Sequence, residues 1–126
     1  MAQILIVDDS PTEVHVFRTM LEKHGYSVSV AANGEEGIEK IREERPDLVL
    51  MDIVMPGLNG FQATRQLSSD PETASIPIVI LSTKGQESDR VWGLRQGARD
   101  YLAKPVNEEL LVGRISSLLM EEKQAQ

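Results

Sequence analysis

Ile4-Leu5-Ile6-Val7-Asp8-Asp9-Ser10-Pro11-Thr12-Glu13 is the stretch that decides the fold. Four consecutive apolar residues, three of them β-branched, read as a strand buried on both faces, the habit of strands in parallel sheets. The run stops at two aspartates. Ser10 followed three residues later by Glu13 is the pattern of a capping box, and Pro11 stands at the first helical position, so a helix begins at once. Val14, Phe17 and Leu21 follow at helical spacing with Met20 beside them, and Gly25 is placed to close the helix. The stretch therefore encodes a strand, a turn carrying two acids, and a helix.

Working outward, the same unit recurs. Tyr26 to Ala31 reads as a second strand, Asn33 as the cap of a helix carrying Ile38 and Ile41, and Pro46 as the stop before Leu48-Val49-Leu50-Met51, which Asp52 ends. Asn59 or Gly60 begins a third helix through Phe61 and Leu67. Ile78 to Leu81 is a fourth buried run, ending in Ser82 and Thr83. A polar helix with Val91, Leu94 and Ala98 on one stripe leads to a short strand around Tyr101 and Leu102, and Asn107 caps a last helix carrying Leu111, Ile115, Leu118 and Leu119. Strands alternating with helices imply a parallel sheet covered on both faces and joined by right-handed crossovers. The expected fold is a doubly wound, five-stranded, three-layer α/β domain over residues 1–120, with Glu121 to Gln126 as a C-terminal tail.

Composition narrows the function. The 126 residues fit one domain, and 13 basic against 20 acidic residues leave a net charge of −7, a field that repels nucleic acid and anionic membrane surfaces. The absence of cysteine removes disulfides, thiolate zinc sites and a thiol nucleophile. No apolar run approaches the roughly 18 residues a membrane helix needs, and the first ten residues lack the basic start of a secretory signal. A soluble, cytoplasmic protein with no membrane insertion is expected.

In an open parallel sheet, ligands bind beyond the carboxyl ends of the strands, near the point where the winding reverses. Those ends carry Asp8 and Asp9, then Asp52, then Ser82 and Thr83, then Lys104. Three carboxylates and one ammonium total about −2, and like charges so close either raise one another's pKa or recruit a cation. Oxygen donors with room for water favour Mg2+ over zinc, and the histidines, His15 and His24, fall within or at the end of the first helix, away from the strand ends.

These residues carry a family resemblance. Val7-Asp8-Asp9-Ser10, Asp52-Ile53-Val54-Met55-Pro56-Gly57-Leu58-Asn59-Gly60, Leu81-Ser82-Thr83 and Tyr101-Leu102-Ala103-Lys104-Pro105 together resemble the receiver domain of bacterial response regulators (CheY-like), in order and over nearly the whole chain. The resemblance implies that Asp52 accepts a phosphoryl group from a histidine kinase of the CheA-like type. It further implies that Asp8, Asp9, Asp52 and the backbone carbonyl of Val54 bind Mg2+, with Asp9 a direct ligand and Asp8 acting largely through water. Lys104 and Ser82 would contact the phosphoryl group, and Tyr101 resembles the family's aromatic switch. Ser82, drawn to the new group, would vacate space into which Tyr101 turns, reshaping the face of the fourth helix, fifth strand and fifth helix for a downstream protein. A cis Lys104–Pro105 bond is also implied.

Because the chain ends with the fifth helix, it resembles a stand-alone receiver of the chemotaxis kind. Thr83 to Glu87, Val91-Trp92-Gly93 and Arg95 to Ala98 are similar to receivers of type IV pilus twitching motility. A phosphate sink for a shared kinase is the alternative role. A phosphatase of the haloacid dehalogenase type would need an acid where Val54 stands, and a flavodoxin-like FMN carrier would not place Asp8 and Asp9 in its phosphate loop. Gly85 and Gly93 in or beside the fourth helix, with its thin apolar stripe, make it the least anchored helix. Trp92, one step off that stripe, is either a partly exposed partner anchor or the margin of the core.

Overall fold

A computed structural model of the chain describes residues 1–124. In chain order the elements are β1 (Gln3–Val7), α1 (Pro11–Lys23), β2 (Ser27–Ala31), α2 (Gly34–Glu44), β3 (Leu48–Asp52), α3 (Gly60–Ser69), β4 (Ile78–Ser82), α4 (Glu87–Arg95), β5 (Asp100–Ala103) and α5 (Glu108–Gln124). The strands form one sheet in the order β2-β1-β3-β4-β5, every neighbouring pair parallel. Because β2 lies on one side of β1 and β3 on the other, the winding reverses between β1 and β3, and their carboxyl ends flank that crevice.

The strand period of two sorts the apolar residues into two cores. Ile4, Ile6, Leu48, Leu50, Val79, Leu81 and Leu102 pack with Phe17 and Leu21 of α1 and Leu111 and Ile115 of α5. Leu5, Val7, Val49, Met51, Ile78, Ile80 and Tyr101 pack on the opposite face with Ile38, Ile41, Ala63, Leu67 and Ala98. Each fully buried aliphatic side chain contributes roughly 1.5–3 kcal/mol, so β1, β3 and β4, buried along almost their whole length, anchor the site rigidly. Among the described residues no helix is long and apolar enough to cross a membrane.

The local signals work as follows. Asn33 and Asn59 cap α2 and α3, and Asn59 with Gln62 forms a complete capping box; Asn107 accepts from the Leu110 N–H at 2.7 Å. Gly25 follows α1 with φ +89°, the left-handed geometry that ends a helix without a Cβ penalty.

Four expectations need correction. The box at the start of α1 is half formed: Ser10 Oγ accepts from the Glu13 N–H at 3.3 Å, but the Ser10 N–H donates to Asp8 Oδ1 at 2.9 Å, leaving Glu13 without its usual target. In α4, Val91 is exposed, and the close approach to the sheet is made by Gly93, where a Cβ would lie 2.8 Å from Tyr101 Cδ2. The second strand starts at Ser27, one residue later than expected. Helix α5 runs to Gln124, past residue 120 where the tail was placed, consistent with the helix-favouring Glu121, Glu122, Lys123 and Gln124; residues 125–126 lie outside the described chain.

Candidate phosphoryl-transfer site

β1 ends at Val7, so Asp8 and Asp9 are released from strand alternation and can turn toward the same crevice. The Asp8 N–H still donates to Ala31 O at 3.1 Å, holding the turn to β2. Asp52 is the last residue of β3, opposite Leu81 of β4. The loop after it is pressed tightly against α3: a Cβ on Gly60 would sit 2.1 Å from the Asp52 carbonyl oxygen. That spacing accounts for the glycine at the start of α3.

The carboxylates of Asp8, Asp9 and Asp52 each offer an oxygen within 4.8 Å of the others. Asp8 and Asp52 are buried and Asp9 is exposed, giving the cluster one open side. Lys104 reaches in from the end of β5, its side chain only 7% exposed. Its Nζ lies 3.1 Å from Asp52 Oδ1 and 3.3 Å from Asp8 Oδ2. A third carboxylate, Glu13, approaches at 2.9 Å, and the Phe17 ring lies under the ammonium at 5.9 Å. The Lys104–Pro105 bond is cis, as the resemblance implies.

The electrostatics follow from this packing. Burial pushes the Asp8 carboxyl above its ordinary range, against the Ser10 N–H and the Lys104 charge, which pull it down. Burial also raises Asp52; its hydrogen bond from Lys104 opposes that, and the Asp8 charge adds to it. For Lys104 burial works against the charge, yet Glu13, Asp52 and Asp8 together outweigh it and hold the ammonium above its ordinary value. Asp8, Asp9, Asp52 and Glu13 around one ammonium leave the site with surplus negative charge. Hard oxygen donors, an open side and no thiolate or imidazole in the cluster suit a small hard divalent cation.

Ser82 ends β4, fully buried, and its Oγ accepts from the Lys84 N–H at 3.0 Å. Tyr101 is also buried, and its OH donates to Lys84 O at 2.6 Å. Burial raises the phenol pKa and the neighbouring Ser82 hydroxyl lowers it. Lys84 thus ties both side chains to the loop before α4. The Tyr101 ring lies inside, in the space that Gly93 leaves by lacking a Cβ. Val54 follows two residues after Asp52 with its side chain exposed.

Sequence reasoning missed Glu13. Its position three residues after Ser10 reads as a reciprocal cap, and only the fold shows that Asp8 holds the Ser10 N–H.

With the geometry in hand, comparison with known proteins identifies the family. The profile of the response regulator receiver domain matches residues 4–116. The chain is a member of the response regulator receiver family. It is 64% identical over 119 residues to Protein PilH of Pseudomonas aeruginosa, covering 94% of this chain and 98% of PilH. It is 38% identical to the response regulator PleD of Caulobacter vibrioides over 93% of its own length but only 26% of PleD. Among solved structures it superposes on a CheY-like receiver from Methanospirillum hungatei with a TM-score of 0.92, 29% identity and coverage of 100% and 99% of the two chains. The receiver of a sensor histidine kinase from Pseudomonas aeruginosa, which holds a magnesium ion in its active site cleft, matches with a TM-score of 0.87 and 32% identity over 94% and 97%. The receiver is thus a signalling domain of a family that takes phosphoryl groups from histidine kinases and acts on protein partners.

Proposed function

We propose that this receiver accepts a phosphoryl group on Asp52 from a CheA-like histidine kinase in an Mg2+-dependent step. It then signals to a protein partner through the surface of α4, β5 and α5. The observation that carries the reading is the meeting of three carboxylates and one buried ammonium at the point where the sheet reverses its winding.

Asp8, Asp9 and Asp52, with the backbone carbonyl of Val54, would hold the ion. Bound there, Mg2+ would neutralise oxygens of the transferring phosphoryl group. The chain's own residues do the rest. Asp52 Oδ attacks phosphorus as the bond to the donor breaks, forming an acyl phosphate; Lys104 meets the charge developing on the equatorial oxygens. Ser82 hydrogen-bonds to the new group. Ser82 and Tyr101 share Lys84 as a partner, so drawing the Ser82 hydroxyl toward phosphate shifts the balance of the Lys84 loop and of the ring behind it. The partner surface carries half-exposed Trp92, Val91 and Leu110, and phosphorylation biases its two arrangements by its differential interaction with each.

The receiver's chemistry is confined to its own phosphorylation and hydrolysis, so it is a phosphoacceptor and not an enzyme acting on an external substrate. Identity to PilH over nearly the full length of both chains supports a stand-alone, cytoplasmic role in type IV pilus twitching motility or related chemotaxis-like signalling. Incubation with acetyl phosphate and Mg2+ followed by intact mass tests the reading. A single phosphate-sized gain that is absent without Mg2+ and absent from Asp52→Asn is expected. A gain that persists in Asp52→Asn contradicts it.

A further inference from the structure

We infer that Glu13 is a positioning residue for Lys104, competing with incoming phosphoryl oxygens for its ammonium; this deepens the receiver reading and rests on it. An ammonium has three N–H donors. All three face carboxylates here: Glu13 at 2.9 Å, Asp52 at 3.1 Å and Asp8 at 3.3 Å. A phosphoryl oxygen can be met only when one of these partners gives way. Glu13 makes the shortest of the three contacts although its side chain is 38% exposed.

The local backbone explains why Glu13 is free to do this. As the third helical residue it would ordinarily fold back on the Ser10 N–H, but that donor is held by Asp8 Oδ1 at 2.9 Å. The same Asp8 shares Lys104. Occupying the cap with an acid of the cluster therefore redirects Glu13 onto the cation of the cluster. Unlike Asp8 and Asp52, Glu13 lies outside the group of three acids suited to the metal, on α1. Its carboxylate holds the ammonium from the α1 side.

Two variants separate this from a simple effect of charge. Glu13→Ala removes charge and reach and keeps a strong helix former. Glu13→Asp keeps the charge but is one methylene shorter. In the metal-free protein, heteronuclear NMR of the Lys104 ammonium should show faster hydrogen exchange in both variants. At saturating Mg2+, phosphorylation by acetyl phosphate should be about two- to fivefold faster in both, the range expected from loss of a partly exposed ion pair. Calorimetric titration should show weaker Mg2+ binding in Glu13→Ala, because the freed ammonium settles on Asp8 and Asp52. An unchanged ammonium signal overturns the inference. So does acceleration in Glu13→Ala with wild-type behaviour in Glu13→Asp, which would mean charge acting through space. A wild-type chain that takes up no phosphoryl group overturns the receiver reading and the competition with it. One that does, with both variants unchanged, overturns the role of Glu13 alone.

Discussion

Replacing Asp52 by Asn should stabilise the metal-free fold. Asp52 faces Asp8 and Asp9 with oxygens no more than 4.8 Å apart; at an effective dielectric of about 20, each such repulsion costs about 3.5 kcal/mol or slightly more. Lys104 at 3.1 Å returns about 5 kcal/mol on the same scale. Asp9 is exposed, so solvent reduces its share, and the pairwise contributions nearly cancel. Burial then decides the sign, and burial is the leading reason that the Asp52 carboxyl is raised. Asparagine keeps an oxygen for Lys104 and removes the buried charge, so a gain on the order of 1 kcal/mol is expected, or about 3–5 °C in Tm for a domain of this size. The gain should depend on pH. An acid raised in the folded state costs nothing below its unfolded pKa and costs most above its folded pKa, so wild type and variant should converge as pH falls below about 4 and diverge toward neutrality. Magnesium should reverse the order. At a hundredfold excess over its dissociation constant it stabilises the wild type by about 2.7 kcal/mol, and the variant, with one carboxylate fewer, by less. Urea unfolding with chelator and with Mg2+ reads all of this. A metal-free variant less stable than wild type, or equal stabilisation of both by Mg2+, would refute the reasoning.

Three further outcomes follow from the packing. Gly60→Ala puts a Cβ 2.1 Å from the Asp52 carbonyl oxygen and 2.8 Å from Ile53 Cα; with backbone on both sides, a loss of about 3 kcal/mol or more is expected in urea unfolding, and a loss below 1 kcal/mol would contradict the close approach. Gly93→Ala gains about 1 kcal/mol of helix propensity but collides with the Tyr101 ring at 2.8 Å, so net destabilisation with the phenol turned outward is expected, visible as a Tyr101 titration nearer its ordinary value; an unperturbed phenol would count against it. Trp92 is 50% exposed, so Trp92→Ala should cost less than about 1 kcal/mol in the isolated chain, and acrylamide should quench its fluorescence readily; strong protection would place it in the core.

Much of this was legible in the amino-acid order, and the exceptions have physical causes. The short apolar runs at Ile4, Leu48 and Ile78, bounded by turn residues, read as two-sided strands, and the polar residues that end them then share one sheet edge. Asp8, Asp9, Asp52 and Lys104 meet there because consecutive parallel strands all finish on the same side. Glu13 was not legible, because its spacing from Ser10 suggests a reciprocal cap and only the turn geometry shows that Asp8 occupies the donor. The inward Tyr101 depends on the distance between α4 and the sheet, which Gly93 sets and which no periodicity reports. The outward Val91 has the same origin: α4 meets the sheet through a residue without a side chain, so its apolar stripe is not its buried face.

The central claim is that the carboxylate of Asp52 is the nucleophile, and reductive trapping tests it most directly. Borohydride converts an aspartyl phosphate to homoserine, so treatment of the acetyl phosphate-loaded receiver followed by tandem mass spectrometry should find homoserine at position 52 and at neither Asp8 nor Asp9. Homoserine at Asp8 or Asp9, with position 52 unmodified, would contradict the account.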